Sequence, residues 1–260
     1  MAQHLSHYTN LGAAINILNP KDECIGFKFT KIKNQNDLQE QRLAENHSKE
    51  YANLRTASFC LMKEYFPRYR IYGTKEKKEE GGITTEAGAK QGNGSSKTSD
   101  NDFIPAMIYF TFKPDCDSRD LFSNVESKGV RYCKQAEFKK YNNSKKVIPK
   151  EDIGFIKSNY WKYEKEYRFI LVGKPNQSDE FFELKPINLN SLKRIEIYYF
   201  PIEKAKKTSK AGQDAQKQSN AIRKLFLGSG KRKTFFALQL EDKKVDFQVH
   251  RSSLCKAVRK

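Results

Sequence analysis

The chain has 260 residues, with 49 Lys and Arg against 31 Asp and Glu, so its formal net charge at pH 7 is +18. An apolar fraction of 37% is enough for a sizeable core, and the absence of any run of eighteen apolar residues excludes a membrane-spanning helix. The positive charge favours a polyanionic partner, with nucleic acid first, although it also suits solubility or docking to an acidic protein.

The five cysteines predict neither disulfides nor a metal site. They are odd in number and scattered, and they form no C-x-x-C pair and no Cys/His spacing that builds a zinc site. The first residues also lack a charged segment followed by an apolar run, as a secretion signal would have. We therefore predict a metal-free protein located in the cytoplasm.

The first half of the chain begins with a strand, "LSHYT", and a helix capped by Thr9 or Asn10 that runs to Leu18 before Pro20. A second strand is predicted at 25–30 and an exposed polar helix at 34–54. Strands then follow at "TASFCLM", at the most apolar run "FIPAMIYFTF" and at "GVRYC".

The second half is predicted to be rich in strands. Residues 153–160 have weak helical character, and "YRFILV" predicts a buried strand that ends before Gly173. Further strands are predicted at "FFELK", "RIEIYYF", "TFFALQL" and "DFQVHR", with a helix near 221–226. Because strands outnumber helices without βα alternation, we predict an α+β fold with an antiparallel-rich sheet.

Two polar stretches are predicted to be mobile surface insertions in a single domain that spans 1–260. Residues 73–102 consist largely of Lys, Glu, Gly, Ser and Thr, and residues 203–218 are basic and polar. Such compositions bury too little apolar surface to order the chain.

The best candidates for an active centre are Glu164 and Glu166, at the leading end of the strand "YRFILV". In an extended segment, residues two apart point to the same side, so both carboxylates would enter one cleft while Lys165 faces elsewhere. Two adjacent carboxylates repel each other, so the pKa of one should rise. The pair can stabilise a developing cation and accept a proton, as chemistry at an anomeric carbon requires. The alternative is a surface pair balanced by Lys162, Lys165 and Arg168.

Aromatic residues favour the functional interpretation of the glutamate pair. Trp161 is the only tryptophan of the chain, and Tyr163 and Tyr167 also flank the carboxylates. Aromatic rings beside carboxylates are typical of a recessed, partly dry pocket.

A second group of candidates lies near the start of the chain. His7, Tyr8 and Thr9 end a strand just ahead of a helix, where side chains and helix N–H groups can meet an anionic or ribose ligand. His7 and Thr9 would share a face. The Ser58 hydroxyl in "TASFC" can contact a ligand or be satisfied by the backbone, and the sequence leaves both interpretations open.

Together, these motifs resemble the ADP-ribosyltransferase superfamily. The order of elements is similar to that of the superfamily: "HYT" on a first strand, the helix "AAINIL", the strand "GFKFT", a strand that bears a hydroxyl, and a late strand that E-x-E precedes. "HYTNLGAAINIL", "NQND", "TASFC" and "WKYEKEYR" more narrowly resemble a family of uncharacterised bacterial proteins with H-Y-T and W-x-x-E-x-E-Y-R motifs. Two segments depart from that pattern: Asp37 is followed by Leu where the pattern has Pro, and Met62 is followed by Lys63 where the pattern has Trp. The expected site therefore leaves out Asn36, Asp37, Glu40 and Tyr65.

The resemblance implies a split, mostly antiparallel sheet that binds NAD as a substrate. It implies that His7 contacts the NAD ribose, that Ser58 supports the nicotinamide side and that Glu166 polarises the ribose, while Glu164 activates the acceptor. Tyr8, Thr9 and Trp161 are expected to complete the NAD site.

The expected function is a mono-ADP-ribosyltransferase or NAD glycohydrolase, a bacterial toxin or phage-defence effector that modifies nucleic acid, RNA more than DNA. Its expected partners include an acidic antitoxin protein but no membrane. Two alternatives stay open: a non-enzymatic nucleic-acid-binding module, and a metal-independent nuclease that uses His7 and Glu166 as base and acid.

Overall fold

A computed structural model describes residues 2–19, 25–32, 38–51, 53–61, 104–143, 146–172, 183–200, 211–229 and 232–252. The predicted insertion at 73–102 lies outside these residues, as do Asn36, Asp37 and Tyr65.

The described part of the chain is a mixed α/β structure with few helices and a mostly antiparallel sheet, which is compatible with the α+β prediction. The strands are β1 (His4–Asn10), β2 (Gly26–Lys31), β3 (Leu54–Cys60), β4 (Pro105–Phe112), β5 (Glu126–Gly129), β6 (Arg131–Cys133), β7 (Ile156–Ser158), β8 (Glu166–Val172), β9 (Glu183–Pro186), β10 (Leu192–Tyr199), β11 (Gly228–Ser229), β12 (Arg232–Lys233) and β13 (Asp246–Arg251). The α-helices are α1 (Leu11–Leu18), α2 (Leu38–Asn46), α3 (Ser48–Tyr51), α4 (Gln135–Asn142), α5 (Ala211–Leu227) and α6 (Phe235–Lys243). Short 3₁₀ helices occupy Ser118–Leu121, Lys150–Asp152, Asn159–Glu164 and Leu189–Ser191.

Nine of the described strands form one sheet that divides along β3. The order is β13-β10-β4-β1-β3-β2-β9, and β8 pairs with the other edge of β3 and with β5. β1 and β2 share one edge of β3: β1 meets it at the pair Ser6 and Cys60, whereas β2 meets it at Thr30 and Thr56. The two strands therefore part between these points. Among the described strands of this sheet, β10 and β13 are the parallel pair.

One face of the sheet, which we call the apolar face, carries the main hydrophobic core. Because side chains alternate along a strand, Leu5, Phe59, Phe110 and Phe169 lie on this face. Helices α1, α5 and α6 cover it, with buried residues that include Leu11, Leu18, Ile222, Phe226, Phe236 and Leu240.

The opposite face, which we call the polar face, carries Ser6, Cys60, Tyr109, Glu166 and Glu196. These residues pair directly across neighbouring strands, which places their side chains on the same side. Near β8, this face is covered by a smaller layer made of α2, α3, α4 and the parallel pair β6 and β7. That layer has its own apolar cluster, which includes Leu43, Tyr51, Phe138, Tyr141, Phe155 and Ile170.

Several predicted elements are confirmed. The first helix follows β1 directly, and Asn10 caps it by accepting a hydrogen bond from the Ala13 N–H at 2.7 Å. The most apolar run forms β4, which pairs with β1 and β10 inside the sheet. Strand β8 begins at Glu166, as the position of the glutamate pair predicted.

Two predictions about local structure are wrong. "TFFALQL" is not a strand but α6, which Thr234 caps through the Ala237 N–H, and which buries Phe236 and Leu240 at helical spacing. The weakly helical segment 153–160 contains the strand β7. Of the predicted insertion 203–218, residues 203–210 lie outside the described part of the chain, and α5 begins at Ala211.

Candidate functional site

The backbone around the glutamate pair is not extended. Glu164 ends a 3₁₀ helix, and Lys165 has a left-handed conformation with φ of 44°, after which β8 begins at Glu166. The prediction of an extended segment here was therefore wrong, and the two carboxylates instead meet at the ammonium group of Lys157. Lys165 is exposed and faces away from them, as expected.

The two glutamates belong to a buried ion cluster of five side chains between the polar face and the smaller layer. Lys157 Nζ lies 2.9 Å from Glu164 Oε2, 3.1 Å from Glu166 Oε2 and 3.9 Å from Glu40 Oε2. Arg168 donates through Nε to Glu166 Oε1 and through Nη2 to Glu40 Oε1, each at 2.6 Å. With three carboxylates and two cations, the ion cluster has a formal charge of −1.

Backbone and tyrosine contacts fix the cluster further. Arg168 Nη1 donates to the Gly154 carbonyl at 2.9 Å, and Tyr132 Oη accepts from the Glu166 N–H at 2.7 Å. Gly154 has φ of +81°, and an added Cβ would lie 2.4 Å from Ile170 Cδ1, so this position needs glycine. The guanidinium of Arg168 is thus held by groups from β8, α2 and the turn before β7.

The charges around Glu166 decide its protonation state. Burial raises the pKa of Glu166, but Arg168 and Lys157 outweigh that effect and hold the pKa well below the usual carboxyl range. The expected rise in pKa is not found at this carboxylate. Burial lowers the pKa of Lys157, yet Glu166 and Glu40 raise it overall. Glu166 is therefore a carboxylate ion and Lys157 an ammonium ion at neutral pH. Burial raises the pKa of Tyr132 to about 12, so its hydroxyl stays neutral.

Ser58 lies beside this cluster on the polar face. It pairs with Arg168 across β3 and β8, and its hydroxyl helps to lower the pKa of Glu166. The Ser58 Oγ atom is nevertheless buried and makes no hydrogen bond of normal geometry to the described residues. We conclude that the hydroxyl is near the carboxylate but that the two groups do not complete a bond in this arrangement.

Trp161 and Cys60 also border the cluster. The Trp161 ring lies with its centroid 5.1 Å from Lys157 Nζ and 6.0 Å from the ring of Tyr163. The Cys60 thiol donates to the Glu164 carbonyl at 3.1 Å. Tyr8 belongs to the same polar face, where it packs in an apolar cluster with Cys60.

His7 is close to Ser58 in space but lies on the opposite face from the glutamates. Its Nδ1 donates to the Ser58 carbonyl at 3.0 Å, at the place where β1 leaves β3. Its ring contacts Phe27 and Phe59 on the apolar face, with centroid distances of 4.8 and 5.3 Å. The imidazole thus fills the division in the sheet. Thr9, two residues on, shares that face.

Sequence reasoning missed Glu40, Lys157 and Tyr132 as members of the site. Glu40 lay in a polar helix and Lys157 in a segment taken as weakly helical, so neither suggested a buried charge. One signal was available: Glu166 and Arg168 are two apart at the start of an apolar strand, which puts both charges on one buried face. Charges that are buried on one face of a strand need further ionised side chains beside them.

Comparisons with protein families, with curated proteins and with solved structures give no match to this chain. Within the described ranges, no group of His, Cys, Asp and Glu side chains is arranged to hold a metal ion. None of the helices in that part of the chain has the length and apolarity needed to cross a membrane.

Proposed function

We propose that the protein is an ADP-ribosyltransferase-like enzyme that consumes NAD at the ion cluster and transfers ADP-ribose to nucleic acid, RNA rather than DNA. The observation that carries this proposal is the convergence of Glu164 and Glu166 on one ammonium group beside Ser58 and Trp161. The division of the sheet at β3, next to this cluster, supports the proposal.

In the proposed reaction, the bond between ribose C1′ and the nicotinamide nitrogen breaks, and its electron pair leaves with neutral nicotinamide. The ribose becomes oxocarbenium-like, and the Glu166 carboxylate stabilises that positive charge. An acceptor hydroxyl or amine then forms a bond to C1′ and gives its proton to Glu164. The lowered pKa of Glu166 suits the first role, because an ionised carboxylate is required at every stage.

Tyr8 is better placed than His7 to meet a ligand at Glu166, because it lies on the polar face. We propose that Tyr8, Ser58 and Trp161 line the NAD site, and that His7 and Thr9 support it from the other side of the sheet. The formal charge of +18 favours a nucleic-acid acceptor, and it equally suits inhibition by an acidic antitoxin if the protein is a toxin or phage-defence effector.

The nuclease alternative is not favoured by the geometry. His7 and Glu166 lie on opposite faces of the sheet, so they cannot act as base and acid on the two sides of one phosphodiester. A non-enzymatic nucleic-acid-binding module remains the second candidate, and the charge of the chain is the observation that favours it.

The test uses NAD labelled on its adenylate phosphate, incubated with the full chain alone and with RNA, DNA or lysate protein. Nicotinamide release and label transfer are measured separately. Glu166→Gln should lower nicotinamide release by about two orders of magnitude or more while NAD binding is retained. Glu164→Gln should instead slow transfer to the acceptor more than nicotinamide release.

Glu241→Gln is the matched control, because that carboxylate is exposed and pairs with Lys233 on the surface. Circular dichroism of each variant shows whether loss of activity reflects loss of folding. If the wild-type chain consumes no NAD with any acceptor, the proposal is wrong, and salt-sensitive RNA binding without a product would favour the binding module.

A further inference from the structure

A line of directly paired residues crosses the polar face from the ion cluster to a second group of titratable side chains. The register of the strands places these residues in one row: Glu166, Cys60, Ser6, Tyr109, Glu196 and Gln248. Glu196 is four strands from Glu166, which corresponds to about 19 Å across a sheet. The second group, which we call the Glu196 cluster, comprises Glu196, Tyr198, His250 and Tyr109.

Glu196 is a buried carboxylate that uses only one of its oxygens within the described part of the chain. Its Oε1 atom accepts from the Tyr198 hydroxyl at 2.8 Å and lies 3.2 Å from His250 Nε2. Its Oε2 atom makes no hydrogen bond or ion pair with a described residue, although the residue is only 5% exposed. Because Oε2 is not one of the fully buried polar atoms that lack a partner, it keeps contact with solvent. It is therefore suited to accept a hydrogen bond from a ligand that displaces this water.

Aromatic rings surround this carboxylate. The His250 and Tyr198 rings are stacked, with centroids 5.0 Å apart and an interplanar angle of 27°, and His4 stacks on Tyr109 at 5.6 Å. The two stacks adjoin, because Tyr109 and Tyr198 meet edge to face at 6.3 Å. Burial and the charge of Glu196 raise the pKa of Tyr109, so its hydroxyl stays neutral at pH 7. His250 remains 38% exposed and forms the outer layer.

These features define the chemistry of the ligand. A carboxylate only accepts hydrogen bonds, so the ligand must donate one, and the neighbouring rings select a flat, aromatic ligand. Bases of single-stranded nucleic acid combine a stacking face with an exocyclic amino group, and the positive charge of the chain attracts their phosphates.

We propose that the Glu196 cluster docks a base of the nucleic-acid acceptor, with the base stacked on His250 and its amino group donating to Glu196 Oε2. That this ligand is the acceptor of ADP-ribose rests on the proposed function. A separation of about 19 Å leaves room for a few nucleotides between this base and the group modified at Glu166.

Fluorescence anisotropy with short, labelled, single-stranded oligonucleotides of A, C or U tests this assignment on the full chain. The wild-type protein should bind the A and C strands more tightly than the U strand. Uracil has no exocyclic amino group, and the two carbonyl oxygens that flank its N3–H repel a carboxylate. Glu196→Gln should weaken binding of A and C by about tenfold and of U much less. His250→Ala should weaken binding of all three by about tenfold, because it removes the stacking ring.

Glu241→Gln is the matched control and should leave every affinity unchanged. Thermal melting identifies a variant that fails to fold. If Glu196→Gln fails to fold, His250→Ala still decides the test, because it alters only a partly exposed ring. Equal affinities of the wild type for all strands, unchanged affinities in both variants, or no binding by the wild type would overturn the assignment.

Nicotinamide release without any nucleic acid distinguishes the two proposals. Glu196→Gln should leave this release and its KM for NAD unchanged. A raised KM would assign the cluster to the adenine of NAD and would overturn acceptor docking. If the wild type releases no nicotinamide, the proposed reaction fails, while the oligonucleotide affinities still decide whether the cluster binds a base.

Discussion

Replacing Lys157 with methionine tests whether the ion cluster holds the smaller layer against the sheet. Met keeps most of the aliphatic volume, so the packing change should cost less than about 1.5 kcal/mol. The charge change is larger, because Lys157 contacts Glu164, Glu166 and Glu40, and its loss takes the formal charge of the cluster from −1 to −2. Breaking a buried ion pair by removing one partner costs about 3–5 kcal/mol.

We therefore expect Lys157→Met to lower the free energy of unfolding by about 3–5 kcal/mol, measured by urea denaturation at pH 7. Adding Glu164→Gln to this variant should recover part of the loss, because the formal charge returns to −1. Lys146→Met is the control: Lys146 pairs with Glu137 at 3.3 Å on the surface, and its replacement should leave the midpoint almost unchanged. A loss below about 1 kcal/mol for Lys157→Met would refute the reasoning.

Three further predictions concern the same region. The lowered pKa of Glu166 stabilises the fold fully above the usual carboxyl value near 4.5, so stability should fall as the pH drops below it, and Glu166→Gln should flatten this dependence in acid-denaturation curves. Tyr132→Phe should cost about 1–3 kcal/mol in urea denaturation, because the Glu166 N–H loses its acceptor; a neutral result would show that another group accepts it. Among the described cysteines, Cys116 should react first with iodoacetamide in peptide mapping, because Cys60 and Cys133 are buried, and burial raises the pKa of Cys133 to about 11; faster labelling of Cys133 would contradict its burial.

The partners of the glutamate pair show how far sequence reasoning reaches. Their position at the start of a buried strand was predictable, since the apolar run "YRFILV" marks β8 and Glu166 is its first residue. Of their cations, Arg168 was predictable as well, because it lies two residues after Glu166 on the same face of the strand. Lys157 was not, because the packing of a separate layer and the left-handed turn at Lys165 bring it to the carboxylates. Neither the turn at Lys165 nor the packing of that layer produces a periodic pattern of apolar residues in the sequence.

The chain by itself determined its positive charge, the order of its first strand, helix and sheet strands, and the place of the glutamates, because these depend on composition and local alternation. The tertiary structure decided which residues share a face. It placed His7 in the division between β1 and β3, brought Glu40 to Arg168 across 128 positions of chain, and made "TFFALQL" a helix on the apolar face. Such outcomes depend on strand register and on which surface an element buries, and both are set by contacts between distant segments.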